Sequence, residues 1–223
     1  MDSSSAQEKP KLVVLISGSG SNLQAIIEQV GNGSIDAEIS LVISNNPDTK
    51  GIARANAVGI NTAVINHREY DTRDSFDREL IRRIDAEQPH LVILAGFMRI
   101  FTPAFTNHFA GRMLNIHPSL LPEFKGVDTH ARALAAGAKQ HGASVHFVTS
   151  ELDGGPLVIQ AIVDIEPSDT EASLASRVLA QEHTIYPIVV KWFCEGRLSL
   201  DGNVVRLDKK ALPNQGVAHH AAS

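Results

Sequence analysis

The chain has 223 residues, 43% of them hydrophobic and 20% charged, which is enough apolar material to bury one large core or two small ones. Its formal net charge of -5 leaves no basic footprint for nucleic acid or an anionic membrane, and a single cysteine, Cys194, excludes an internal disulfide. No apolar run approaches the roughly 20 residues a bilayer-spanning helix needs, and Met1 to Lys9 is polar without a signal-peptide hydrophobic region, so a cytoplasmic protein is expected.

Leu12 to Ile16 reads as the first strand, and the loop Ser17-Gly18-Ser19-Gly20-Ser21 leads into a helix over Asn22 to Val30, where Leu23, Ile26, Ile27 and Val30 recur at helical spacing. Further strands are predicted at Ile39–Ile43, Thr62–Ile65, Leu91–Leu94, Met113–Ile116, Ser144–Val148 and Leu157–Val163. Helices fit between most of them. From Ser75 to Ala86, Phe76, Leu80, Ile81 and Ile84 form an apolar stripe opposite Arg78, Glu79, Arg82 and Arg83. Ser168-Asp169-Thr170-Glu171 has capping-box spacing and opens a last helix that Pro187 should break or kink. Leu198–Leu200 and Val204–Leu207, joined by Asp201-Gly202-Asn203, predict a hairpin. The alternation predicts an α/β fold: a mostly parallel, twisted sheet of about seven strands with helices on both faces and a Rossmann-like N-terminal half. With no linker-like stretch in the sequence, we expect a tail over 1–10, one domain over 11–213 and a frayed tail over 214–223.

The glycine loop is a candidate phosphate site. Its glycines and serines let backbone N–H groups approach an anion at the positive end of a helix. It lacks the Gly-Lys-Ser/Thr of a Walker loop, and Leu23 stands where a dinucleotide fingerprint has its third glycine, so a mononucleotide-like phosphate suits it better than a bare turn. Asn115-Ile116-His117-Pro118 and Glu151-Leu152-Asp153-Gly154-Gly155-Pro156 place an amide, an imidazole and a carboxylate at the ends of two predicted strands. Taken singly, His117 reads as a core histidine and Asp153 as a turn opener. His117, His130, His141, His146 and Asp153 offer metal donors, but no Cys pair or His-x-x-x-His organises them, and no metal is expected.

Together, Ile16 to Gln24, Ala95-Gly96-Phe97-Met98-Arg99-Ile100, Asn115 to Pro122, His146-Phe147-Val148, Glu151 to Pro156 and Gln181-Glu182-His183-x-x-Tyr186-Pro187 resemble the glycinamide ribonucleotide formyltransferases, within the wider family that uses 10-formyltetrahydrofolate. The match is collinear from about Leu12 to Pro213. The resemblance implies a formyltransferase fold, with an N-terminal nucleotide-binding half over about 11–110 and a C-terminal folate-binding and catalytic half over about 111–213, and formyl transfer from 10-formyltetrahydrofolate to the amine of 5'-phosphoribosylglycinamide in purine biosynthesis. Asn115, His117 and Asp153 would be catalytic. Ser19, Gly20, Ser21 and Asn22 would hold the phosphate, Gly96 and Met98 the amine side, and Glu182 the ribose. Leu94, Phe97, Arg99, Ile100, Phe101 and Val148 would meet the folate, with Arg73 and Arg99 toward its glutamate tail. Its partners would be these small molecules and neither nucleic acid nor membrane, acting as monomer or homodimer.

Two positions depart from the pattern: Leu179, where relatives can offer a polar or basic group to the phosphate, and Asp128, where some carry a second histidine. The Phe124-to-His130 loop is the least secure part of the match, and its Lys125 is expected to contact either ligand or solvent. A formyltetrahydrofolate hydrolase would use the same trio with water, usually behind an added N-terminal domain; about ten residues precede the first strand here. A methionyl-tRNA formyltransferase would need an appended domain. A non-catalytic nucleotide- or folate-binding regulator would not need Asn115, His117 and Asp153 together.

Overall fold

The computed structural model describes residues 8–220. Eight strands form one sheet in the order β11-β7-β6-β5-β4-β1-β2-β3. These are β1 (Lys11–Ile16), β2 (Glu38–Ser44), β3 (Thr62–Val64), β4 (Leu91–Leu94), β5 (Met113–His117), β6 (Gln140–Phe147), β7 (Leu157–Asp164) and β11 (Val217–His220). β1 to β5 run parallel, β6 is antiparallel to both neighbours, and β11 is parallel to β7. A small antiparallel sheet holds β8 (Leu198–Asp201), β9 (Val204–Leu207) and β10 (Lys210–Ala211). The predicted hairpin is therefore there, with a third strand added.

Side chains of a strand alternate between faces, and β1 is buried on both. Leu12, Val14 and Ile16 belong to a core shared with Leu23 and Ile26 of α1 (Ser21–Gly31) and with Leu174, Val178 and Val189 of α6 (Glu171–Cys194). Val13 and Leu15 face the other core, against Phe76 and Leu80 of α3 (Arg73–Asp85) and Phe105 of α4 (Pro103–His108). The remaining helices are α2 (Lys50–Ala57) and α5 (Thr129–Ala135), the latter packed on α6.

Several boundaries differ from the sequence reading. α3 begins earlier, because Thr72 and Ser75 cap it reciprocally. α6 is capped by Thr170 with Ser173 rather than by Ser168. It also runs through Pro187: the lost N–H costs about 3 kcal/mol, and Ile185, Tyr186, Val189 and Val190, all fully buried, outweigh it. The tail after Pro213 is not frayed over 214–220. Its Val217 to His220 pair with Ile159 to Ile162, giving the sheet an eighth strand in place of the expected seven. The first seven residues of the expected N-terminal tail lie outside the described residues.

From β1 the chain moves outward through β2 and β3, then returns to place β4 on the other side of β1. The crevice at the C-terminal ends of β1 and β4 is the position where open α/β sheets hold ligands.

Candidate active site

β5 stops at His117, so Asn115 and His117 project to one side at its end. Asp153 comes from the β6–β7 turn with φ 47°, a left-handed conformation costing a non-glycine residue about 1 kcal/mol. Its Oδ2 lies 3.5 Å from His117 Nδ1 and accepts the Gly126 N–H at 2.9 Å. His117 Nε2 donates to the Phe124 carbonyl at 3.0 Å. Both ring nitrogens of His117 thus face oxygen atoms.

Asn115 pairs across the sheet with His146. The His146 Nδ1–H donates to the Phe147 carbonyl at 2.9 Å, and complete burial pulls the imidazole down to about 4, so its Nε2 is bare. Asn115 Nδ2 donates one proton to that nitrogen at 3.2 Å, and its other proton has no acceptor among the described residues. The 3.9 Å separation of His146 Nε2 from Asp153 Oδ1 is accordingly no ion pair.

Asn115, His146 and Asp153 line a narrow cavity of about 90 Å³ with Leu94, Phe97, Arg99, Ile100, Phe101 and Val148. All the residues expected at the folate are there except Arg73, the first, exposed residue of α3, which does not line it. Phe97 and Phe101 line it as parallel rings 5.3 Å apart, and Phe105, which does not line it, stacks on Phe101 at 4.1 Å. A second cavity, about 180 Å³, is lined by Ser17 to Asn22 with Ala95, Gly96 and Met98. Here Gly20, at φ 67°, packs so closely on Gly51 of α2 that a Cβ would sit 2.6 Å from the Gly51 Cα. The N–H groups of Ser19, Gly20, Ser21 and Asn22 have no backbone acceptor among the described residues. Glu182 does not line this cavity; its Oε2 accepts Asn22 Nδ2 at 2.6 Å, and burial pushes its carboxyl up to about 7. The buried Asn22 Oδ1 has no partner among the described residues.

Residues 10–190 match the model of the formyl transferase family. The chain belongs to this family. It is 51% identical over 207 residues to the phosphoribosylglycinamide formyltransferase of Escherichia coli (strain K12), covering 93% of this chain and 98% of that protein. A solved phosphoribosylglycinamide formyltransferase from Coxiella burnetii superposes with TM-score 0.91 at 51% identity, covering 95% of this chain and 99% of that one. The human trifunctional purine biosynthetic protein adenosine-3 is 41% identical over 197 residues, 88% of this chain and 20% of that protein.

The formyl transferase structure also shows what sequence reasoning missed. His146 drew notice only as a metal donor and as part of a motif, since its pairing with Asn115 is a cross-strand register that no local pattern announces. A buried network holds the loop after His117: Ser144 Oγ donates to Ser119 O at 2.6 Å and accepts from Leu121 N, and Gln160 Nε2 donates to Leu121 O and Ser144 Oγ. Tyr186 OH reaches the carbonyls of Leu94 and Leu114, at 2.9 and 3.0 Å, and pins α6 to the ends of β4 and β5. Lys125 pairs with Glu151 at 2.7 Å, and Arg132 donates to the carbonyls of Lys125 and Val127, so the Phe124-to-His130 loop is tied down. His130 and His141 contact each other at 3.2 Å, and no group of three or more His, Cys, Asp or Glu among the described residues could hold a metal ion.

Proposed function

We propose that this chain transfers the formyl group of 10-formyltetrahydrofolate to the primary amine of 5'-phosphoribosylglycinamide in purine biosynthesis. The observation that carries this reading is that Asn115 and Asp153 line one aromatic cavity, with His117 against Asp153 just outside its lining and the glycine-loop cavity adjoining through Ala95 to Ile100. The folate enters the first cavity between Leu94, Phe97, Ile100, Phe101 and Val148, with Arg99 and the more distant Arg73 toward its anionic tail. The ribonucleotide phosphate takes the N–H groups of Ser19 to Asn22, its amine passes Gly96 and Met98, and Glu182 accepts from the ribose hydroxyls.

The amine nitrogen attacks the formyl carbon, and the carbonyl oxygen becomes an oxyanion. The free Asn115 N–H and the His117 imidazolium donate to it; in the unliganded chain the His117 Nε2–H is held by the neutral Phe124 carbonyl, so the oxyanion exchanges a neutral acceptor for a charged one. Asp153 stabilises the imidazolium and relays the proton of the attacking amine to folate N10 as the carbon–N10 bond breaks. The products are formylglycinamide ribonucleotide and tetrahydrofolate, with no covalent enzyme intermediate. The enzyme works in the cytoplasm on small molecules as monomer or homodimer, a reading supported by its acidic balance and by the absence, among the described residues, of any helix long and apolar enough to cross a membrane.

A spectrophotometric assay of folate product, with and without the ribonucleotide, tests the function. Product only in its presence is expected. Equal product without it would make the chain a hydrolase, and no product with both ligands bound would make it a regulator.

A further inference from the structure

The phosphate loop is held from behind by a segment that does not line its cavity. Consecutive carbonyls of the loop are each taken by a protein donor: Ile16 O by Asn45 N–H at 3.3 Å, Ser17 O by Asn46 Nδ2 at 2.8 Å, Gly18 O by Gly51 N–H at 3.1 Å, Ser19 O by Arg54 Nε at 3.0 Å and Gly20 O by Gln24 N–H at 2.9 Å. In a trans peptide the C=O and the N–H of the next residue point in opposite directions. Fixing the carbonyls of Gly18, Ser19 and Gly20 on the outer side therefore aims the N–H groups of Ser19, Gly20 and Ser21 the opposite way. The Ser19–Gly20 unit differs from its neighbours in being held by a cation. A guanidinium on the carbonyl polarises the peptide and strengthens the opposite N–H as a donor. Arg54 is itself oriented, since its second nitrogen donates to Gln24 Oε1 at 3.3 Å and its Cδ would lie 3.7 Å from a Cβ on Gly20.

We propose that Arg54 is a positioning residue for the ribonucleotide phosphate, acting through the Ser19–Gly20 peptide without touching the substrate. The inference rests on the reading of the glycine loop as the phosphate site. Loss of a charge-assisted hydrogen bond that sets one phosphate donor corresponds to about a tenfold loss of affinity.

The test is calorimetric titration of wild type, Arg54→Met and Arg54→Lys with 5'-phosphoribosylglycinamide and with ribose 5-phosphate, alongside steady-state kinetics and melting temperatures. Arg54→Met should bind both phosphorylated probes about tenfold more weakly, with KM for 10-formyltetrahydrofolate and kcat at saturation within about twofold of wild type. Arg54→Lys, which keeps the charge and a donor, should recover most of the loss. Unchanged affinity in Arg54→Met overturns the inference alone. Equal loss of folate and phosphate affinity with a lowered melting temperature also overturns it, by marking a general structural role. A wild-type protein that binds neither phosphorylated probe overturns the site reading itself, and this inference with it.

Discussion

At the scale of the residue, four ionisable groups carry distinct consequences. Asp153 is held in a left-handed turn so that one oxygen meets both His117 Nδ1 and the Gly126 N–H. Asp153→Asn keeps the shape but neither the charge nor the proton relay, so kcat should fall by about a hundredfold or more with ribonucleotide affinity within about twofold of wild type, read by kinetics and calorimetry. Glu182 is buried beside Asn22 with its carboxyl pushed up to about 7, from an ordinary value of 4.5. A raised folded value means the folded chain holds the proton more tightly; that stabilisation is complete below 4.5 and is lost as pH rises through 7. Glu182→Gln should therefore be more stable than wild type at pH 8, by about 1 to 3 kcal/mol in urea unfolding, with the gain absent near pH 4. Its ribonucleotide affinity should fall, because an amide oxygen replaces a carboxylate at the ribose. His146 and His141 behave oppositely. Burial lowers both to about 4 from 6.5, so the stability they contribute is present above 6.5 and is lost as pH falls through 4.

Elements are held in register by polar groups that local periodicity does not reveal. Gln160 of β7 and Ser144 of β6 anchor the turn that carries the Phe124 carbonyl to His117. Gln160→Leu leaves Leu121 O without its donor. The expected result is a lower kcat and a higher KM for the folate, with ribonucleotide affinity unchanged, because the disturbance is confined to the loop after β5. Tyr186 bridges β4 and β5 from α6. Tyr186→Phe removes one hydrogen bond to buried carbonyls and should lower unfolding stability by about 1 to 2 kcal/mol in denaturant titration. α6 illustrates the competition between local and tertiary terms: Pro187 predicts a break, yet the helix continues because its neighbours bury completely against the sheet.

For the whole molecule, β11 closes one edge of the sheet over β7. Deleting 214–223 should lower stability by about 1 to 3 kcal/mol through lost ladder bonds and leave β7 as an open edge prone to association. Melting temperature and light scattering read the two effects, and the KM for ribonucleotide should not move, since the glycine loop lies at the far side of β6, β5 and β4. Much of this architecture was legible in the chain itself. Six buried strands and the half-exposed edge strand β3 announce themselves as apolar runs, and α1 and α3 as apolar stripes, because burial on fixed faces forces period into sequence. β11 escaped notice since Val217-Ala218-His219-His220 is short, half polar and stabilised by pairing rather than by its own pattern. The short helices α2, α4 and α5 are likewise too brief to show a clear period, and only α4 has a side-chain cap, from Thr102. By itself the sequence determined the fold class, the glycine loop and the positions of Asn115, His117 and Asp153, all of which depend on residue type and local spacing. Only the tertiary structure decided that His146 takes one N–H of Asn115, that Gly126 braces Asp153 and Phe124 braces His117, and that Arg54 reaches the back of the glycine loop. Apart from the bond of His117 to Phe124, a short-range one, those contacts join segments far apart in the chain, and their geometry exists only once the sheet has set its order and register.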